Sequence, residues 1–100
     1  MPKLYEYLGI IVFFYSREHE PIHVHGRYGE CENKIEILFE NGAVKSIRVL
    51  NVTGRKPLPS KQKKEFKNLV TKLSDEIVQS WINFFIYDKK IITKKIAGKL

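Results

Sequence analysis

All three histidines of the chain fall within seven residues, at His19, His23 and His25. If residues 22–28 form a β-strand, side chains alternate between its two faces, so that His23, His25 and Arg27 project from the same face. Neighbouring positions on such a face are about 6.5–7 Å apart along the strand. His19 precedes the strand in a polar loop, close enough in sequence to fold over that face. The spacing therefore predicts a site made of imidazoles and a guanidinium.

Two imidazoles beside a guanidinium suit chemistry on a phosphodiester. A neutral histidine can take the proton from a ribose 2′-hydroxyl while a protonated histidine gives a proton to the leaving oxygen. An arginine stabilises the negative charge that develops on the phosphate. Such a site needs neither a metal nor another cofactor, and its substrate would be RNA. The predicted catalytic residues of this ribonuclease-type site are His23, His25, His19, Arg17 and Arg27.

The same three histidines also fit a metal site, with two ligands from one strand and a third from the loop. Neutral imidazole suits zinc, copper, iron or nickel, and a catalytic zinc site needs three protein ligands and an open position. The spacing of His19, His23 and His25 matches no recognised metal motif. Cys31 is the only cysteine, so no thiolate pair supports the site. Metal binding therefore stays an alternative.

A purely structural role is the third interpretation of this segment. His23 and His25 would then hydrogen-bond to loop backbone, and Arg17 would pair with Glu18 or Glu20. Clusters of ionisable groups arise for structural as well as for catalytic reasons. Residue types and spacing alone leave these three interpretations open.

The histidine segment resembles a small bacterial family. The resemblance is carried by the pattern R-x-H-x-P-x-H-x-H, by two residues after it and by a tryptophan on a later helix: Arg17, His19, Pro21, His23, His25, Tyr28, Gly29 and Trp81. The family is catalogued as domain of unknown function 4160, and the resemblance runs over roughly residues 1–85. It implies a component of a toxin–antitoxin-type module, because members are often encoded beside a second small protein that would be the cognate partner. It implies no reaction.

Four strands are predicted to position the histidine segment. The run Gly9–Tyr15 is short, β-branched and aromatic, and both of its faces are apolar, which is typical of a central strand. Gly29-Glu30 turns the chain after the histidines, and Asn41-Gly42 is a favoured two-residue hairpin turn. The predicted strands are 9–15, 22–28, 34–40 and 43–52.

A long amphipathic helical stretch follows the strands. Ser60 can cap a helix start, and neither Pro nor Gly occurs again until Gly98. Apolar residues recur at helical spacing over more than five turns, at Phe66, Leu69, Val70, Leu73, Ile77, Val78, Trp81 and Phe85. Residues 74–76 can begin a second helix by capping, so that one long or two shorter C-terminal helices both fit. We therefore predict an α+β fold, in which a mainly antiparallel sheet of about four strands packs against those helices.

The net charge of +7 is distributed unevenly along the chain. Residues 1–42 carry four basic and seven acidic side chains, for −3, and residues 43–100 carry fourteen basic and four acidic side chains, for +10. The basic half predicts binding of a polyanion or an acidic partner protein, although lysines that merely solubilise an exposed helix fit the same numbers. A non-catalytic module that binds a partner or nucleic acid is thus the competing interpretation. The predicted nucleic-acid-binding residues, which would also hold the RNA backbone for a catalytic histidine site, are Lys61, Lys64, Lys67 and Lys72.

Length and composition favour one small domain without a membrane anchor. The 100 residues, of which 43% are hydrophobic, suffice for a single core. We expect a domain over residues 1–87 and a basic tail over 88–100 that adds a strand, a short helix or a partner-binding arm. The longest apolar run, Leu8–Tyr15, is too short for a membrane span, and the first residues lack the apolar segment of a signal peptide. With a single cysteine, these features predict a cytoplasmic protein, in which self-association can cover exposed edge strands.

Overall fold

The computed structural model describes residues 2–15 and 21–100, which form one six-stranded sheet with two helices packed on it. The strands are β1 (Lys3–Tyr7), β2 (Ile10–Phe13), β3 (His23–Tyr28), β4 (Cys31–Glu40), β5 (Ala43–Asn51) and β6 (Lys94–Ile96), and the helices are α1 (Ser60–Lys72) and α2 (Ser74–Phe85). The order across the sheet is β5-β4-β3-β2-β1-β6. Neighbouring strands are antiparallel, except that β6 runs parallel to β1. The α+β class predicted from the sequence is confirmed.

Two-residue turns connect β3 to β4 and β4 to β5. Asn41-Gly42 joins β4 to β5, and both residues have positive φ, 52° and 78°. This combination gives a turn whose twist matches that of the strands, and asparagine and glycine adopt it most readily. Gly29-Glu30 joins β3 to β4 and places Tyr28 opposite Cys31. Both turns agree with the sequence prediction.

The prediction of about four strands is wrong, because the described residues contain six. Leu8-Gly9, with φ of 49° and 80°, is a third two-residue turn. Gly9 therefore ends a turn instead of beginning a strand, and Lys3–Tyr7 forms the additional strand β1 before it. The sixth strand, β6, comes from the tail and pairs with β1. The sequence of β6, Lys-Lys-Ile, has no alternating strand pattern. These residues form a strand because they pair with β1.

The apolar stripe after Ser60 lies on two helices that pack on one face of the sheet. Leu73 separates them, with φ −110° and ψ 21°. The sequence left open one long helix or two shorter helices, and the structure has two shorter helices. The stripe forms the core with side chains of the sheet, and its buried members are Phe66, Leu69, Val70, Ile77, Val78 and Trp81. No helix in the described part of the chain is long and apolar enough to cross a membrane.

Strand β3 turns one face to the helices and the other face away from them. A Cβ atom added to Gly26 would lie 2.9 Å from the ring of Phe66 in α1, so α1 rests directly on the backbone at this position. Because side chains alternate along a strand, His23, His25 and Arg27 point to the opposite side of the sheet. We call that side the histidine face.

Candidate active site

The two described histidines lie side by side on the histidine face, within a small aromatic cluster. The His23 and His25 rings are 5.4 Å apart, centroid to centroid. His25 stacks on Phe13 of β2 at 5.5 Å and meets the edge of Tyr15 at 4.4 Å. The register of β2 with β3 pairs Phe13 with His25 and so fixes the stack. The predicted alternation of the histidine strand is therefore confirmed.

Glu32, on β4, lies at the centre of this cluster and is completely buried. Its Oε2 accepts a hydrogen bond from the Tyr15 hydroxyl at 3.1 Å and contacts His25 Nδ1 at 3.0 Å. Its Oε1 accepts a hydrogen bond from Arg27 Nη2 at 3.2 Å and lies 3.7 Å from Arg55 Nε. One carboxylate thus holds an imidazole, a phenol and two guanidinium groups.

Local structure explains why these groups converge. The two-residue turn Gly29-Glu30 sets the register in which Arg27 lies directly opposite Glu32, the arrangement in which opposite charges on neighbouring strands attract each other. The Glu32 amide also donates a hydrogen bond to the Lys56 carbonyl at 2.8 Å. This contact holds the loop after β5 against β4 and brings Arg55 to the carboxylate.

The electrostatics of the cluster follow from its burial. A buried carboxylate is stable only when charges and hydrogen-bond donors surround it, and Glu32 has Arg27 and Arg55 as cationic partners. With one negative and two positive groups, the cluster is cationic even when His25 is neutral. Burial raises the pKa of the Tyr15 phenol, and the nearby Glu32 carboxylate raises it further. Tyr15 therefore remains a protonated hydrogen-bond donor to Glu32 at neutral pH.

The partners of the two Nδ1 atoms indicate how the imidazoles are oriented. His23 Nδ1 lies 2.7 Å from the Pro21 carbonyl oxygen, and a carbonyl can only accept a hydrogen bond. His25 Nδ1 lies against a carboxylate, which when ionised can also only accept. Each Nδ1 therefore carries a hydrogen and donates it to its partner, which fixes the orientation of both rings.

The arginines of the site are more exposed than its histidines, and a pocket lies on the same face of the sheet. His23 and His25 are 9% and 3% exposed, whereas the side chains of Arg27 and Arg55 are 29% and 42% exposed. A pocket of about 280 Å³ opens beside His23, since its lining includes Glu36, the strand partner of His23. The remaining lining residues are Pro21, Ile37, Leu38, Ser46 and Arg48.

The structure brings together some of the predicted site residues and separates others. His23, His25 and Arg27 form one cluster, whereas Arg17 and His19 lie outside the described residues. The predicted pairing of Arg17 with Glu18 or Glu20 lies outside them as well. The predicted nucleic-acid-binding lysines are exposed on α1, in the layer on the other side of the sheet: Lys61, Lys64, Lys67 and Lys72. An RNA strand bound along α1 would therefore not cross the histidine face.

Of the three predicted metal ligands, His23 and His25 lie within the described residues, whereas His19 lies outside them. Among residues 2–15 and 21–100, no group of three His, Cys, Asp or Glu side chains is arranged to hold a metal ion. The Nδ1 atoms of His23 and His25 contact the Pro21 carbonyl and the Glu32 carboxylate, so ligation from these two residues would use Nε2. The structural interpretation is confirmed in one respect, since His23 contacts backbone at Pro21.

Sequence reasoning missed Glu32, Arg55 and Tyr15. The position of Glu32 was predictable from the sequence, because a two-residue turn at Gly29-Glu30 pairs residue 32 with Arg27. The position of Arg55 was not predictable, since it depends on how the loop after β5 packs against β4. Tyr15 was assigned to a strand that in fact ends at Phe13.

Comparison with known protein families identifies a match over most of the chain. The model of a family described as a domain of unknown function, DUF4160, matches residues 9–82. These residues include β2 to β5, both helices up to Ile82 and every described member of the histidine cluster. No curated protein and no solved structure matches the chain.

Proposed function

Since the chain belongs to the family described as domain of unknown function 4160, we propose a function from its own residues: cleavage of RNA by acid–base chemistry on the histidine face. The observation that carries the proposal is the buried Glu32, which contacts both His25 and Arg27. A single carboxylate thereby positions a proton-transfer group and a phosphate-binding group relative to each other.

The roles of the two histidines follow from their Nδ1 partners. A protonated His25 faces the Glu32 carboxylate at Nδ1, whereas His23 faces the neutral Pro21 carbonyl there. This difference makes His25 the proton donor and His23 the proton acceptor, because groups in unlike environments divide acid and base roles. Their ring separation of 5.4 Å lets both reach one phosphodiester.

The proposed reaction is an internal transesterification. His23 Nε2 takes the proton of the ribose 2′-hydroxyl, whose oxygen bonds to phosphorus. The bond between phosphorus and the 5′-oxygen of the next nucleotide breaks, and His25 Nε2–H protonates that oxygen. The products are a 2′,3′-cyclic phosphate and a free 5′-hydroxyl. Proton transfer returns the histidines to their starting states when the cyclic ester is hydrolysed.

The arginines supply the electrostatic part of this function. Arg27 and Arg55 share Glu32 but keep their exposed sides open to solvent, and a guanidinium forms paired hydrogen bonds with phosphate oxygens. Because the cluster carries more positive than negative charge, it attracts the substrate and stabilises the charge that develops on the phosphate. The pocket beside His23, with Arg48 on its wall, has room for a sugar or base of the same RNA strand.

The α1 lysines support a second candidate function, the binding of nucleic acid or an acidic protein without catalysis. α1 has no acidic residue in its first turn, although cations are unfavourable at a helix N-terminus. Lys61, Lys63 and Lys64 all lie at this end, where they do not serve helix stability. Their position on the far side of the sheet makes this surface a separate site from the histidine face.

We further propose that the protein acts as one component of a toxin–antitoxin-type pair with a small cognate protein. This part rests on the resemblance of the histidine segment to paired bacterial proteins. RNA cleavage would give such a component its toxic effect, and a partner covering the cationic cluster would suppress it.

A cleavage assay with defined oligonucleotides tests the proposed chemistry. The substrates are a single-stranded RNA and the same sequence with 2′-O-methyl groups, which has no 2′-hydroxyl proton to remove. We expect the wild type to cleave only the unmodified RNA and to leave a 2′,3′-cyclic phosphate. His23→Asn and His25→Asn should each lower the rate by about 100-fold or more, while Lys90→Gln, which removes an exposed cation of the C-terminal segment, should leave it unchanged. Cleavage of the methylated strand, or no cleavage by the folded wild type, would overturn the proposal.

Expression in growing bacteria tests the toxin assignment. We expect growth arrest from the wild type and normal growth from the His23→Ala/His25→Ala double variant at matched soluble protein levels. Equal growth of both strains would remove the toxic role and favour the binding function.

A further inference from the structure

The C-terminal segment, residues 86–100, lies as an arm along the edge of β1. Within it β6 runs parallel to β1, with Tyr5 opposite Lys94 and Tyr7 opposite Ile96. Thr93 Oγ1 donates a hydrogen bond to the Lys3 carbonyl at 2.8 Å. The arm thereby completes an edge of the sheet that would otherwise expose unpaired backbone groups.

Hydrogen bonds among a tyrosine, a glutamate and a lysine fix the position of the start of β6. The Tyr5 hydroxyl donates a hydrogen bond to Glu76 Oε1 of α2 at 2.7 Å. Lys94 Nζ of the arm donates to the same oxygen at 3.0 Å. The lysine of the arm thus completes a site that β1 and α2 form together.

The same three residue types recur at the end of the arm. The Tyr7 hydroxyl lies 3.5 Å from Glu65 Oε2 of α1, and Lys99 Nζ lies 3.2 Å from Glu65 Oε1. Glu65 is 5% exposed, so Lys99 is a main source of compensation for a buried carboxylate. The Leu100 amide also donates to the Tyr7 hydroxyl at 3.0 Å. Beside the β1 edge, Glu76 of α2 and Glu65 of α1 therefore form an acidic seat for Lys94 and Lys99 of the arm.

The hinge of the arm has an unfavourable conformation and an exposed apolar surface. Asp88 has a φ of 54°, in the left-handed region, which costs free energy for a residue with a Cβ atom. This turn bends the arm back onto its own β1. Ile86 and Tyr87 are each 63% exposed, and Ile92 is 85% exposed. Large apolar side chains at this level of exposure are a surface that a second molecule can cover.

We propose that two copies of this chain exchange their C-terminal arms, so that β6 and the lysines of each copy occupy the β1 edge of the other. All contacts between the arm and its seat can form in trans with the same geometry, so exchange loses none of them. Opening the hinge relieves the conformation of Asp88, and strained short hinges promote exchange. In the dimer the hinges of two chains meet and bury their apolar residues. The inference does not depend on the proposed RNA chemistry, because β2 separates the β1 edge from the histidines of β3.

Two opposite substitutions at the hinge test the proposal. Asp88→Pro cannot adopt positive φ and forbids the closed hinge, so we expect a folded dimer of twice the 11.8 kDa chain mass by size exclusion with light scattering. Glycine at position 88 adopts positive φ without cost. The Asp88→Gly variant should therefore contain a larger fraction of monomer than the wild type. A folded Asp88→Pro monomer, with its arm detached and rapidly cleaved by trypsin at Lys89 and Lys90, would overturn the inference.

A charge exchange provides an independent test at an exposed pair. Glu76→Lys and Lys94→Glu each place like charges together when the variants are studied alone. In an equimolar mixture, exchange between the two variants pairs opposite charges at both seats. We therefore expect native mass spectrometry to show a heterodimer enriched about tenfold over either homodimer. Equal proportions of homodimer and heterodimer, or monomers only, would contradict arm exchange.

Discussion

Replacement of Glu32 by glutamine tests the central role of this carboxylate in the histidine cluster. Glu32→Gln keeps the shape of the side chain but removes its charge, so Arg27 and Arg55 lose their common partner. Breaking a buried ion pair by removing one member costs about 3–5 kcal/mol. Since the Arg27 and Arg55 side chains are partly exposed and can turn towards water, we expect the lower end, about 3 kcal/mol.

The matched control is Glu36→Gln, on the same strand. Glu36 accepts a hydrogen bond from Arg48 at 2.7 Å, but the Arg48 side chain is 71% exposed. Exposed pairs of this kind contribute about 0–1 kcal/mol. The two substitutions are chemically identical, so the difference between them measures the effect of burial and of the additional partners of Glu32.

Urea unfolding followed by the fluorescence of Trp81, the single tryptophan, measures both variants. At a slope of about 1.2 kcal/mol per molar urea, Glu32→Gln should lower the midpoint by about 2.5 M and Glu36→Gln by under about 1 M. Equal midpoints for the two variants would refute the conclusion that Glu32 organises the site.

The same variant has a second, more specific consequence at His25. The new amide nitrogen cannot face Arg27 or Arg55, because guanidinium groups only donate hydrogen bonds. It must therefore take the position of Oε2, opposite His25 Nδ1, where it donates. His25 then has to accept at Nδ1 and carry its hydrogen at Nε2. Nitrogen-15 chemical shifts of the imidazole should report this reversal of tautomer, and an unchanged tautomer would show that Glu32 does not orient His25.

Three further predictions concern the packing of α1, the acid stability of the arm and the basic helix. Gly26→Ala places a Cβ atom against the Phe66 ring and should lower the free energy of unfolding by about 1–3 kcal/mol; thermal unfolding measures this, and adding Phe66→Leu should restore part of the loss unless the close contact is not its cause. Hydrogen bonds from Tyr5 and Lys94 lower the pKa of Glu76, so its stabilising contribution is present above the ordinary pKa of about 4.5 and is lost as pH falls below it. Wild type should therefore lose more stability than Glu76→Gln between pH 6 and pH 3.5 in urea titrations, and parallel losses would contradict the assignment. If α1 contacts phosphates, the combined substitution of Lys61, Lys64 and Lys67 by glutamine should reduce the salt dependence of RNA binding by about two to three units of slope, and an unchanged slope would exclude this surface.

Features that depend on neighbouring residues were predictable from the sequence. Alternation along a strand placed His23, His25 and Arg27 on one face, because consecutive side chains of any strand point to opposite sides. Asn41-Gly42 predicted its turn, since few residue pairs accept two positive φ angles. Apolar residues at helical spacing predicted the packed side of α1 and α2. Each of these signals requires only the geometry of a few adjacent residues.

Local sequence patterns did not predict β1 at the N-terminal side or β6 in the tail. Leu8-Gly9 uses a leucine at positive φ, which residue preferences disfavour, so the turn was not predicted and β1 before it was missed. β6 is three residues long and contains two lysines. Its structure comes from pairing with β1, about 90 residues earlier in the chain, and from Glu76 and Glu65.

The sequence by itself determined that the chain has histidines and an arginine on one strand face and a basic helical surface. Only the tertiary structure decided how these features are related. Packing α1 on Gly26 puts the lysines and the histidines on opposite sides of the sheet. Strand register and a loop contact bring Glu32 and Arg55 to His25. Such relations arise from contacts between distant segments, which form when the whole chain buries its core and which no local pattern encodes.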